Sequence, residues 1–167
     1  DIGSGFSKPM IRGMGFNRVA VLENGIKQEG QQWGADHGLE LDAFNVDAVS
    51  VMKGPASLLY GSDAMGGVID ISPVQVPAEN MLFGDVTLLG KSVNETFGAS
   101  LMLGIKKNAW YTKLRYSEQR FGDYRIPVDT IIYLTQKMPV YGRRLKNTAG
   151  WDRNINFFTQ YQKKGYK

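Results

Sequence analysis

The stretch Val51–Ile71, VMKGPASLLYGSDAMGGVIDI, decides the fold. It continues Val46–Lys53 (VDAVSVMK), in which Val49 and Val51 fall on one side of a period-two alternation, the pattern of a half-buried strand. The strand stops at Gly54-Pro55. Pro55 fits the first turn of a helix, so Ala56-Ser57-Leu58-Leu59-Tyr60 is expected to make one or two helical turns ending at Gly61. Gly66-Gly67 then leads into Val68–Ile71, a second short strand. Upstream, Val19–Leu22 and Ile26–Gln28 flank Glu23-Asn24-Gly25. Asn-Gly between strand-like runs predicts a hairpin, because a type I′ turn needs positive φ at both central residues. These pieces form a small mixed sheet with short helices.

Downstream the pattern lengthens. Phe97, Ala99, Leu101, Leu103 and Ile105 alternate with Thr96, Gly98, Ser100, Met102 and Gly104. After a turn expected at Lys106–Ala109, Trp110, Thr112, Leu114 and Tyr116 alternate with Tyr111, Lys113, Arg115 and Ser117. Runs of this length suit a tilted strand that crosses a bilayer, and equally a soluble meander with one wet face. Glu79–Gly90 reads as an earlier strand and Trp151–Tyr161 as a later one. Glu118–Gly150, with Pro127 and Pro139, reads as a long surface loop with little regular structure. The fold class is therefore α+β and strand-rich: the small mixed sheet, then an antiparallel β-meander.

Composition narrows the chemistry. The 167 residues are 43% hydrophobic and 22% charged, ordinary globular values that exclude wholesale disorder. The chain has no cysteine and a single histidine, His37, which removes thiolate chemistry, Cys-ligated metals and a Ser/His catalytic pair. No apolar run is long enough for a transmembrane helix, and the N-terminus lacks the pattern of a signal peptide. The net charge of +4 divides unevenly: Asp1–Ala78 carries 5 Lys/Arg against 9 Asp/Glu, Glu79–Lys167 15 against 7. Two segments with different tasks follow, joined at Ser72–Asn80 through Pro73 and Pro77. Gly13-Met14-Gly15 is half a dinucleotide fingerprint with Arg18 in place of its third glycine, and Gly61–Gly67 lacks the ending of a phosphate loop. With no paired acid and base either, the chain does not read as an enzyme. The basic pairs Arg143-Arg144 and Lys163-Lys164 fit a solvated or headgroup-facing surface rather than nucleic acid.

Four blocks carry a family resemblance: Pro9–Gly15 (PMIRGMG), Arg18–Gly25 (RVAVLENG), Val51–Ser62 (VMKGPASLLYGS) and Ala64–Ile69 (AMGGVI). In order and spacing they resemble the plug domain of TonB-dependent outer-membrane receptors. The resemblance implies that residues 1–72 are the C-terminal part of a plug, 73–80 a linker, and 81–167 the first strands and a long loop of an incomplete transmembrane β-barrel, the whole an internal fragment. Family barrels close about 22 strands around a plugged lumen. Gly13, Gly54, Pro55, Tyr60, Gly61, Gly66 and Gly67 occupy the plug's structural motif. By resemblance, Arg12 and Lys53 form a plug–barrel latch facing acidic wall residues, although Lys53 stands where the family prefers arginine and cannot make a bidentate fork.

The implied function is import of a scarce nutrient (an iron–siderophore, haem, cobalamin or a metal chelate) across the outer membrane of a Gram-negative bacterium. The plug gates the pore, and the TonB complex supplies energy through a segment absent from this chain. A stand-alone plug-like binding or signalling module is the alternative. The implied partners are outer-membrane lipid and a small-molecule substrate, with no intrinsic cofactor beyond a transported metal chelate. Open strand edges of an isolated fragment are expected to self-associate. Within Glu29–Asp42 (EGQQWGADHGLELD), the resemblance places a substrate-facing apical loop of Gln31, Gln32, Trp33, Asp36 and His37. Amides and an indole there suit a polar ligand. Asp36, His37, Glu40 and Asp42 also carry the ligand types of a zinc or copper site, or simply cap turns.

Overall fold

The computed structural model describes residues 8–29, 41–72 and 75–162. The N-terminal part is a four-stranded sheet built from β1 (Val19–Glu23), β2 (Ile26–Lys27), β3 (Ala48–Met52) and β4 (Gly67–Ser72), in the order β2-β1-β4-β3. β1 and β2 form the expected hairpin, with Asn24 at φ 52° and Gly25 at φ 77° as the type I′ turn demands. β1 runs parallel to β4, pairing Val21 with Ile69, and β3 runs antiparallel to β4, pairing Val51 with Ile69. Ala20, Leu22, Ala64 and Val68 form the core of this part, with Met52 against it.

Between β3 and β4, the segment Pro55–Tyr60 is a 3-10 helix. Its Ser57 is buried, and the hydroxyl lies 2.8 Å from the Gly54 carbonyl and 2.6 Å from that of Ala64, which closes the crossover. The six residues between the two glycines close through the tighter i→i+3 turn, with the Gly61 N–H donating to the Leu58 carbonyl at 3.1 Å. Glycine is required at two positions here. A Cβ on Gly66 would stand 2.9 Å from the Arg18 carbonyl oxygen, and one on Gly67, at φ +143°, 2.7 Å from that of Met52. Ile11–Met14 is a tight turn, closed by two 2.9 Å backbone hydrogen bonds, with Arg12 at φ 52° on its tip.

The second part is a four-stranded antiparallel meander, in the order β12-β7-β6-β5, of β5 (Met81–Lys91), β6 (Thr96–Lys107), β7 (Trp110–Phe121) and β12 (Gly150–Tyr161). The expected hairpin is present, with Asn108 and Ala109 as its two-residue turn. The register lines up rows across the strands. Leu101–Tyr116–Ile155 and Leu103–Leu114–Phe157 lie on one face, exposed. Ser100–Ser117–Asn154, Met102–Arg115–Asn156 and Gly104–Lys113–Phe158 lie on the other. Phe83 and Tyr111 stack on that second face at 6.3 Å, where a Cβ on Gly104 would collide with the Phe83 ring at 2.4 Å.

The exposed apolar face is bounded by an aromatic row at each end: Phe97 and Trp151 at one, Trp110 packed 4.9 Å from Tyr161 at the other. Ten residue steps along β12 separate Trp151 from Tyr161. At about 3.3 Å per step and a tilt of roughly 40° that is ~25 Å of height, the thickness of the apolar band of a membrane β-barrel. Among the described residues no helix is long and apolar enough to cross a membrane.

The segment after β7 corrects the expectation of a loop with little structure. It folds into two small two-stranded ladders: β8 (Tyr124–Arg125) pairs with β11 (Arg144–Leu145), and between them in sequence β9 (Thr130–Tyr133) and β10 (Gln136–Pro139) form a hairpin. Side-chain caps hold the base. Asp123 Oδ1 accepts the backbone N–H groups of Thr148 and Ala149, each at 3.0 Å, and the Thr148 hydroxyl accepts that of Tyr124 at 2.9 Å. Glu95, in the β5–β6 turn, accepts from Arg125 at 2.8 Å and from Arg144 at 3.2 Å. Hydrogen bonds from Arg144 and then Arg125 hold the Glu95 carboxyl down at about 2.

Candidate functional site

The residues with the most connected chemistry lie where the N-terminal sheet meets the polar face of the meander. The segment leading into β3, residues 41–47 (LDAFNVD), makes the junction. Asp42 Oδ1 accepts the backbone N–H of Phe44 at 3.0 Å, an Asx-turn that folds the chain back on itself. Its other oxygen, Oδ2, accepts the Ser117 hydroxyl of β7 at 2.9 Å and the Asn156 amide of β12 at 2.7 Å. The ring of Phe44 sits over Gly98 of β6, with its tip 2.9 Å from where a Cβ would stand. A side chain at 98 would fill the socket that Phe44 occupies.

Asp47 joins three segments. Its backbone N–H donates to the Ser72 carbonyl at 3.1 Å, which ties it to the end of β4. Its carboxylate accepts the backbone N–H of Gln75 at 3.1 Å and the Lys113 ammonium at 3.1 and 3.3 Å. Lys113 is only 3% exposed, so its charge lies under the sheet, and a carboxylate that stays partly in water meets it there. Through its backbone N–H and its carboxylate, Asp47 therefore ties the N-terminal sheet, the connection out of it and the meander together at one point. Beside it, buried Arg115 donates through Nη1 to Asp85 at 3.0 Å and to the Ser100 hydroxyl at 2.9 Å, while its Nε has no hydrogen-bond partner among the described residues.

The polarity of the junction follows from the charge division in the sequence. The acidic N-terminal half supplies Asp42 and Asp47; the basic C-terminal half supplies Lys113. Charge-assisted hydrogen bonds at low dielectric attach one body to the other, and Phe44 in its socket sets the register.

Of the residues singled out from sequence, Arg12 is exposed at its turn and Lys53 is exposed at the end of β3, and neither makes an ion pair among the described residues. Gln31, Gln32, Trp33, Asp36, His37 and Glu40 lie outside the described residues. Asp42 is described, and its carboxylate is engaged with Phe44, Ser117 and Asn156. No group of potential metal ligands occurs among the described residues. Sequence reasoning missed Phe44, Asp47, Gly98, Lys113, Ser117 and Asn156 as a unit. Two signals pointed to them: the opposite charges of the two halves, and a lysine and a glycine on the small, polar face of long alternating strands.

Residues 1–68 match the family model described as TonB-dependent Receptor Plug Domain. Among curated proteins, the chain is 29% identical over 121 residues to the vitamin B12 transporter BtuB of Vibrio vulnificus, covering 72% of this chain and 19% of that protein. It is 39% identical over 75 residues to the hemin receptor of Yersinia enterocolitica, covering 42% of this chain and 11% of that one. Among solved structures, the ferric enterobactin receptor PfeA of Pseudomonas aeruginosa, in complex with enterobactin, superposes with a TM-score of 0.51 at 22% identity, covering 70% of this chain and 19% of its own. The chain thus spans about a fifth or less of the length of these proteins.

Proposed function

We propose that this chain, whose residues 1–68 match the plug-domain family, is part of a TonB-dependent outer-membrane receptor, with the plug followed by barrel strands, and that it is the gating part of an importer for a scarce nutrient. The location is the outer membrane of a Gram-negative bacterium. The nutrient is an iron–siderophore, haem, cobalamin or a metal chelate, brought into the periplasm with energy from the TonB complex. The observation that carries this reading is the junction itself. A small sheet is seated on the polar face of a meander whose opposite face is apolar, through Asp42, Phe44 and Asp47.

In this reading, the polar face of β5, β6, β7 and β12 is the inner wall of a barrel, and the apolar face meets lipid. The plug closes the lumen while the Asp42 and Asp47 contacts hold, and passage requires them to loosen. The exposed cations Arg12 and Lys53 face acidic groups of other wall strands. The loop containing Gln31, Gln32, Trp33, Asp36 and His37 contacts the substrate from above, and Asp36, His37 and Glu40 supply the only imidazole and two carboxylates for a metal-bearing cargo.

The test is growth under starvation. A strain that lacks the full-length receptor is given haem, a ferric catecholate or cobalamin as sole source, with and without a functional TonB complex. Import predicts that one source fails without the receptor and is restored by it only when TonB is present. Unchanged growth on all of them contradicts the reading.

A further inference from the structure

We propose that Arg120 and Arg153 form a binding site for the phosphate of an outer-leaflet lipid headgroup, on the apolar outer face of the barrel wall. The proposal rests on the membrane reading of the meander. Two ends of that sheet differ. β6 and β7 are joined by the two-residue turn Asn108–Ala109, whereas the other end carries the hairpin-bearing loop of residues 122–149. Membrane barrels keep short turns on the periplasmic side and long loops outside. The row Phe97–Arg120–Trp151 is therefore the external rim, and the row Ala99–Glu118–Arg153 lies just beneath it.

Both guanidiniums point out on the face that meets lipid. They converge on one carboxylate: Arg120 donates to Glu118 Oε1 through Nε at 2.9 Å, and Arg153 to Oε2 at 3.3 Å. The Tyr116 hydroxyl donates to Oε2 as well, at 2.9 Å. The Arg153 guanidinium also lies 5.5 Å above the Trp151 ring, which holds it at the rim. One carboxylate against two guanidiniums leaves an excess positive charge. Each guanidinium has five N–H donors, and Glu118 engages only a minority of them.

Directly below, the exposed rows Leu101–Tyr116–Ile155 and Leu103–Leu114–Phe157 carry no charge. Arginine on a barrel's lipid face costs several kcal/mol at the midplane but roughly 0–1 near the interface, so the pair stands at the depth where it is tolerated. What a cationic pair meets on the lipid side at that depth is a headgroup. Guanidinium forks match phosphate geometry, and Trp151 and Tyr116 supply the amphipathic rings suited to the same level. Glu118 spaces and orients the two forks rather than occupying them.

The test uses the full-length receptor in phosphatidylcholine nanodiscs, titrated with diphosphoryl lipid A. Wild type binds it, and R120Q/R153Q binds on the order of fivefold more weakly for each guanidinium lost. R120K/R153K, which keeps the charges but not the forks, recovers only part of the binding. Lipid A stripped of its phosphates binds wild type no better than it binds R120Q/R153Q. Equal binding of diphosphoryl lipid A by wild type and R120Q/R153Q overturns the proposal, as does undiminished binding of the dephosphorylated lipid. Competition by millimolar inorganic phosphate shows a site for soluble anions and overturns the lipid assignment. A receptor that does not insert into the nanodisc at all overturns the membrane reading as well, which separates the two failures.

Discussion

Replacing Asp47 by alanine tests the junction at its most connected atom group. The change removes the acceptor of the Lys113 ammonium and of the Gln75 N–H together. Lys113 is almost fully buried, whereas the Asp47 side chain is 28% exposed, so water partly replaces what the lysine loses. A charge-assisted hydrogen bond contributes about 1.5–3 kcal/mol, and the exposure of the acid favours the lower half of that range, ~2 kcal/mol. At about 1.4 kcal/mol per factor of ten, the open form of the junction becomes roughly 30-fold more populated. Hydrogen exchange of the β3 amides, Ala48–Met52, in the purified full-length receptor reads this population directly. The double variant D47A/K113A is expected to exchange more slowly than D47A, because it no longer buries an ammonium that has lost the Asp47 carboxylate. Wild-type exchange in D47A, or a double variant whose effects simply add, refutes the argument.

Three further outcomes follow from the same structure. G98V drives the Phe44 ring from its socket at a cost of about 1–3 kcal/mol, so proteolysis at residues 41–47 accelerates, and F44A/G98V relieves it. Glu95 lies at about 2 in the folded loop against 4.5 ordinarily, so its contribution is complete above pH 4.5 and fades as the pH falls from there towards 2. Tryptic cleavage after Arg143, Arg144 and Lys146, normalised at each pH to cleavage of an unfolded reference peptide, should therefore be unchanged in wild type between pH 8 and 6, and faster in E95Q at every pH in that window. Q32A/W33A should weaken uptake at limiting substrate by the worth of one stacking or hydrogen-bonding contact, ~1–3 kcal/mol, with receptor abundance unchanged. Loss of the receptor from the membrane would make those two residues structural instead.

Much of the fold was legible because it rests on local rules. Asn24-Gly25 needed positive φ twice, Pro55 between Gly54 and Gly61 allowed only a short helical crossover, and period-two runs in β6 and β7 fixed which side chains share a face. The ladders after β7 were not legible for an equally local reason. The β9–β10 turn is made by Leu134 and Thr135 at φ 46° and 69°, residue types that give no turn signal. Family resemblance directed attention to Arg12 and Lys53, whereas the described attachment runs through Asp42, Phe44 and Asp47. Alternation shows that Lys113 faces inward but not which acid meets it, since that depends on how two separate sheets dock. For Asp42 the sequence leaves metal binding and turn-capping both open, because a carboxylate in a turn has the same sequence signature whether it binds a cation or two neighbouring strands.

The most direct test of the central claim is uptake by the charge-swapped receptor D47K/K113D, measured with the nutrient that the starvation experiment identifies. The account predicts that D47K and K113D each impair TonB-dependent uptake at normal receptor abundance, and that the swap restores most of it by rebuilding the ion pair in reverse. A swapped receptor as impaired as either single variant, or single variants that transport like wild type, would contradict a plug held to its wall by Asp47 and Lys113.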